Sequence, residues 1–152
     1  MHVLVATDGS QRSIDAARRA SDLLRTADKV TLLSVLTEVP GDDAGGFAGS
    51  VYSADEIDAV WSRQLAEAGE ELARTAQALT STKVDKRIEV GSVASTVCRI
   101  AEELEVDVIV AGSHGHTGLG RLFLGSVSEH IVRHAPCPVL VVRHKDDVPK
   151  EQ

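Results

Sequence analysis

Two stretches of the chain hold residues whose types and spacing suit chemistry. The first is Thr7-Asp8-Gly9-Ser10, a carboxylate and two hydroxyls grouped around a glycine. The second runs from Gly112 to Ser126, with glycines at 112, 115, 118, 120 and 125 and with Ser113, His114, His116 and Arg121 among them. Closely spaced glycines allow positive φ and bring backbone N–H groups close to an anion. A helix starting at Ser126 adds unpaired N–H groups and the positive end of its dipole. Together these make a phosphate cradle that needs little basic side-chain charge. The plainer alternative is that the glycines only serve tight turns; their clustering where a strand gives way to a helix favours the cradle. No GK[ST] follows, so this is not a Walker A loop. The dinucleotide fingerprint belongs after the first strand, and Asp8-Gly9-Ser10 does not supply it.

Each candidate side chain has a competing structural role. A carboxylate is repelled by polyphosphate, so Asp8 belongs at the neutral end of a ligand, accepting from hydroxyl or amine groups; otherwise it caps the first helix or its turn. Ser126 is expected as the cap of the last helix, because Ser126-Val127-Ser128-Glu129 has capping-box spacing. Arg121 is either within reach of a terminal phosphate or a solvated surface charge. His114 and His116 lack a third ligand nearby, so no metal is expected there. His130 and His134 stand four apart on a helix, but the glutamate of HExxH is replaced by Ile131, and they read as solvent-facing. Cys98 and Cys137 have no CxxC spacing and read as small apolar groups.

The elements that must position these residues follow from hydrophobic periodicity. Five β-branched runs, Val3 to Thr7, Val30 to Leu36, Lys83 to Val90, Val106 to Ala111 and Pro138 to Val142, read as strands. Val3-Leu4-Val5, Val108-Ile109-Val110 and Val139-Leu140-Val141-Val142 are continuously apolar, which implies burial on both faces of a parallel sheet. Lys83 to Val90 alternates with charges and reads as an edge strand. Between the strands, Ile14, Ala17, Ser21 and Leu24 mark one helix. Ile57, Val60, Trp61, Leu65, Ala68, Leu72, Ala76 and Leu79 mark a longer one, with Ser53-Ala54-Asp55-Glu56 as its capping box and Trp61 in its core stripe. Val93 to Leu104 forms a third helix with Ser92 as cap, and Val127 and Ile131 mark a fourth, stopped by Pro136 and Pro138. Alternation of strand and helix implies an open, doubly wound α/β sheet, Rossmann-like, with helices on both faces and right-handed crossovers. Ligands then bind beyond the carboxyl ends of the strands, where both candidate stretches lie.

Composition sets the outer bounds. The chain has 152 residues, the size of one domain. Its 23 acidic against 16 basic side chains give a formal charge of -7, which argues against a nucleic-acid partner. The four aromatic residues, Phe47, Tyr52, Trp61 and Phe123, are too few for a base-stacking platform. No apolar run is long enough to span a membrane. Two cysteines are too few for a disulfide framework, which fits a reducing compartment and a cytoplasmic location. The segment from Thr37 to Tyr52, rich in Gly and Asp, is long for a connection and reads as a functional lid or a disordered loop. Residues 146–152 read as a flexible tail after a single domain spanning 1–145.

Gly112-x2-Gly115-x9-Gly125-Ser126, Asp8 at the end of the first strand, and the ending His134-Ala135-Pro136-Cys137-Pro138-Val139-Leu140-Val141-Val142 resemble the universal stress protein family, in its ATP-binding form. The resemblance covers about residues 1 to 145. It implies a five-stranded parallel sheet of order 3-2-1-4-5, with ATP held across the switch point between strands one and four. On that resemblance Asp8 lies at the nucleoside end, the Val35 backbone meets the adenine and Gly112 sits near the ribose. Ser113, Gly115, Gly125 and Ser126 take the phosphates, with Mg²⁺ or Mn²⁺ as possible companions of the phosphates. His116, Arg121 and Val127 complete the expected ligand-binding positions. The resemblance also implies a homodimer through Pro138 to Val142, and an exposed apolar edge strand has its own physical motive for cover. Ala6 departs from the proline found in many relatives. The expected function is a dimeric, regulatory ATP-binding module that alters the binding of a protein partner. The alternatives are a slow ATP hydrolase or nucleotidyl-transfer enzyme, and a structural dimer with an unoccupied pocket. No residue is assigned a catalytic role.

Overall fold

The computed structural model describes residues 1–37, 53–79, 83–113 and 124–143. In chain order the elements are β1 (His2–Ala6), α1 (Gln11–Leu23), β2 (Lys29–Leu36), α2 (Ala54–Gln77), β3 (Val84–Val90), α3 (Val93–Glu103), β4 (Val108–Gly112), α4 (Ser126–His134) and β5 (Val139–Val142). The strands form one sheet in the order β3-β2-β1-β4-β5, every neighbouring pair parallel. This is the doubly wound α/β architecture expected from the alternation of runs. The strand limits move by one or two residues from those expected: β1 ends at Ala6, and Val106 and Asp107 precede β4. Asp107 instead donates its backbone N–H to the His2 carbonyl and accepts the His2 N–H on its side chain, so it tethers the two central strands at their entry.

The strands are apolar on both faces because helices cover both faces. Val3, Val5, Leu32 and Val110 point to one side, where Ala17 and Ala20 of α1 and Leu72 of α2 complete a core. Leu4, Leu33 and Ile109 point to the other, against Val97 and Ile100 of α3 and Ile131 of α4. Neighbours in sequence thus serve opposite cores, as the two-residue period of a strand requires. The small side chains of α1 let that helix lie close to the sheet. Its stripe includes Ala16, Ala17 and Ala20, all buried.

α2 departs from the sequence reading. Ser53 forms the expected capping box, accepting from the Glu56 N–H while the Glu56 carboxylate accepts the Ser53 N–H at 2.7 Å. That bond holds the Glu56 carboxyl below its ordinary range. The apolar stripe, however, is buried only in its second half, at Ala68, Leu72 and Thr75. Trp61 is only half-buried and Leu65 is 45% exposed, so neither belongs to the core as expected. Length explains this: 24 helical residues span about 36 Å at 1.5 Å per residue. The eight residues of β2 beneath them span about 26 Å. The helix overhangs the sheet at its amino end.

The two sheet edges are built differently. On β3, Arg87 and Glu89 pair with each other at 2.6 Å and reach Glu103 and Arg99 of α3 at 3.0 and 2.9 Å. The guanidinium groups of Arg87 and Arg99 hold the Glu89 carboxyl below its usual range. β5 carries Val139, Leu140 and Val141 half-buried, with no such charged pairing among the described residues. Its end is tied down by Arg19 of α1, which donates to the Arg143 carbonyl at 2.6 Å.

Candidate functional site

The strand order reverses between β1 and β4, so a crevice opens past their carboxyl ends. Ala6 lies opposite Leu33, and the Thr7 N–H continues that ladder with a 3.0 Å bond to the Leu33 carbonyl. Two residues on, Asp8 comes level with Val35. Val5 lies opposite Val110, which brings Thr7 level with Gly112. The register therefore delivers Asp8, Val35 and Gly112 to one edge of the sheet.

The β1–α1 turn is held by its own side chains. Asp8 Oδ1 accepts from the Ser10 N–H at 3.1 Å and from the Ser10 hydroxyl at 2.7 Å. Ser10, not Asp8, caps α1: its Oγ accepts the Ser13 N–H at 3.2 Å. Thr7 Oγ1 accepts the Gly9 N–H at 3.2 Å and shares a buried 2.9 Å bond with Ser13 Oγ. Gly9 has φ +71°, and a Cβ there would come within 2.3 to 2.6 Å of three side-chain carbons of Glu71. The sequence singled out Asp8 but not Glu71, whose only signal is its place on α2 and not any motif.

The β4–α4 side is built from backbone. Ser113 is buried and donates its N–H to the Val142 carbonyl at 3.0 Å, extending the β4–β5 ladder. The Ser113 carbonyl accepts the Gly125 N–H at 2.9 Å, which brings the two ends of the glycine stretch together. The N-cap of α4 is Gly125, with φ -64° and ψ 151° and no side-chain cap bond. The expected capping box at Ser126 is therefore absent. Ser126 is the first helical residue, and Glu129 turns instead to Arg133 at 2.6 Å. Ser128, overlooked in the sequence, is buried and donates its hydroxyl to the Gly112 carbonyl at 2.6 Å. Ser126 and Val127 are exposed at the helix start.

Gly115, His116 and Arg121, together with His114 and most of the loop from Thr37 to Tyr52, lie outside the described residues. Of the expected positions, Asp8, Val35, Gly112, Ser113, Gly125, Ser126 and Val127 fall at the same end of the sheet. Among the described residues no group of three or more His, Cys, Asp or Glu converges to hold a metal, and no helix is long and apolar enough to cross a membrane. Cys98 and Cys137 pack half-buried against the α3–α4 core, and burial pushes both thiols up, as befits small apolar groups. A small, mostly apolar pocket also exists between α1 and the sheet, bordered by Val3, Ala20, Val30 and Leu79, but it lies toward the opposite end of the strands.

The universal stress protein family matches this chain over residues 1–143. The chain belongs to that family. A Staphylococcus haemolyticus protein carrying the universal stress name is 34% identical over 157 residues, covering 99% of this chain and 88% of its own. Among solved structures, hypothetical protein MJ0577, the subject of a structure-based assignment of biochemical function, is 28% identical. It superimposes with a TM-score of 0.77 over 95% of this chain and 96% of its own. A universal stress protein solved in complex with cAMP is 25% identical, with a TM-score of 0.64 over 93% of this chain and 96% of its own. As a universal stress protein the chain has the sheet order its resemblance implied.

Proposed function

We propose that this universal stress protein binds ATP in the crevice between β1 and β4 and acts as a regulatory module, not through turnover. The observation that carries this reading is the meeting of two unlike features at one sheet edge: the side-chain-built Asp8 turn and the uncapped start of α4. A helix start without a side-chain cap keeps N–H groups available to an anion, and the dipole favours negative charge there. The phosphates lie at Gly112, Ser113, Gly125, Ser126 and Val127, joined by Gly115, His116 and Arg121 from the rest of the glycine stretch. Asp8 accepts from the ribose hydroxyls, oriented by its bonds to Ser10, and the Val35 backbone meets the base. Mg²⁺ or Mn²⁺ accompanies the phosphates. The family relative solved with cAMP supports a nucleoside phosphate as the ligand class.

Residues 1–145 form the binding domain, with 146–152 as a tail, and the protein works in the cytoplasm. The apolar edge β5 joins two copies into a homodimer, because an unpaired apolar edge otherwise invites uncontrolled pairing. A protein partner reads the nucleotide state. Calorimetry on nucleotide-stripped protein tests the central step. Saturable ATP binding with one site per chain is expected, and no heat at millimolar ATP would overturn the reading.

A further inference from the structure

α4 ends in two exposed histidines one turn apart, His130 and His134. Their rings stack with centroids 4.1 Å apart and planes inclined by 27°. His134 Nδ1 lies 2.9 Å from the His130 carbonyl oxygen. A carbonyl only accepts, so Nδ1 carries the proton of that bond. In the neutral ring the lone pair then belongs to Nε2. This is the arrangement of a metal-ligating histidine: one ring N–H is given to a backbone carbonyl, which fixes tautomer and orientation, and the other nitrogen offers its lone pair.

The second imidazole stands on the same helix face, as four-residue spacing requires. Two ligand nitrogens on a tetrahedral zinc ion are about 3.3 Å apart for Zn–N bonds of about 2.05 Å. The rings stack, with centroids 4.1 Å apart, so their in-plane lone pairs converge on one ion only after the exposed His130 ring turns about its side-chain torsions. The local field also favours a cation. His134 is the last residue of α4, where the helix dipole is negative. Arg133 opposes a cation there, but its guanidinium is held 2.6 Å from the Glu129 carboxylate.

We infer that His130 and His134 bind one borderline divalent transition cation, Cu²⁺, Ni²⁺ or Zn²⁺, with water in the remaining positions. Two protein ligands make the affinity moderate, and imidazole donors exclude the hard cations Mg²⁺ and Ca²⁺. The site lies at the opposite end of α4 from Ser126 and does not depend on nucleotide binding.

The test uses untagged, metal-stripped full-length protein titrated with Zn²⁺ and Cu²⁺ by calorimetry. His130→Gln and His134→Gln are each expected to weaken binding at least tenfold, and Cu²⁺ is expected to bind more tightly than Zn²⁺. Equal Zn²⁺ affinity in the wild type and both variants overturns the proposal, as does displacement by Mg²⁺ at equal concentration. A second measurement needs no variant to fold: Zn²⁺ is expected to shift the ring-proton resonances of His130 and His134 in the wild-type protein. Shifts confined to His2, His114, His116 and His144 overturn it.

Discussion

All four helices begin at the carboxyl edge of the sheet, and the two that flank the crevice, α1 and α4, begin differently. α1 is closed at its start: Ser10 caps it and donates its hydroxyl to Asp8, while Thr7 and Ser13 share a bond beside that cap. α4 is open: its cap is a glycine with no side chain to offer. Both helix starts carry the same dipole and the same orphan N–H groups. What separates them is whether the protein satisfies those groups itself. Under the proposed function this difference would put the anion at α4 and leave the α1 turn to hold a carboxylate in place, which suits the uncharged part of a nucleotide.

Closing the open start should have the largest effect. Gly125 has ordinary extended angles, so Gly125→Asp fits the backbone. An aspartate at that position is a better N-cap than glycine and is expected to stabilise the fold by a few tenths of a kcal/mol. The same carboxylate would sit where the phosphates are proposed. Like charges placed together cost several kcal/mol before solvent screening, so ATP affinity should fall about 100-fold. Stability and affinity moving in opposite directions is the diagnostic result. A variant that binds ATP as tightly as the wild type would show that α4 does not receive the anion.

Disturbing the closed start through its backbone comes next. Gly9→Ala places a side chain at φ +71° and drives its Cβ into Glu71. Left-handed backbone costs roughly 1–2 kcal/mol for an L-residue, and displacing Glu71 adds to it. Denaturant unfolding should report a loss of about 2 kcal/mol or somewhat more. A loss below about 0.5 kcal/mol would mean that α2 moves aside freely and that the turn is not pressed between the two helices.

This contrast explains what was legible in the sequence. The alternation of strands and helices was visible because strand apolarity and helical period are local signals, whereas the sheet order came only from the family resemblance, since local period does not say which strands pair. The capping box at Ser126 was misread because Ser-x-x-Glu spacing does not say where a helix starts. Gly125 took the cap position, Glu129 found Arg133, and Ser128 turned inward to Gly112. The Glu71–Gly9 approach had no sequence signal, since it depends on how α2 crosses the β1–α1 turn. Trp61 and Leu65 were placed in the core by period alone, and period does not reveal that a helix outruns its sheet.

The smallest expected effect separates the two helix starts by ligand. Ser10→Ala removes the acceptor for the Ser13 N–H and the hydroxyl that donates to Asp8. Loss of a serine cap costs about 1 kcal/mol, to be read by thermal or denaturant unfolding. Its binding consequences should fall on one part of the nucleotide. Asp8 loses an orienting partner, so adenosine binding should weaken several-fold, while inorganic tripolyphosphate, which uses α4, should bind unchanged. Gly125→Asp should give the reverse pattern. If opening α1 instead strengthened tripolyphosphate binding, α1 would be a second anion site whose cap excludes the ligand, and the division between a closed and an open helix start would not hold.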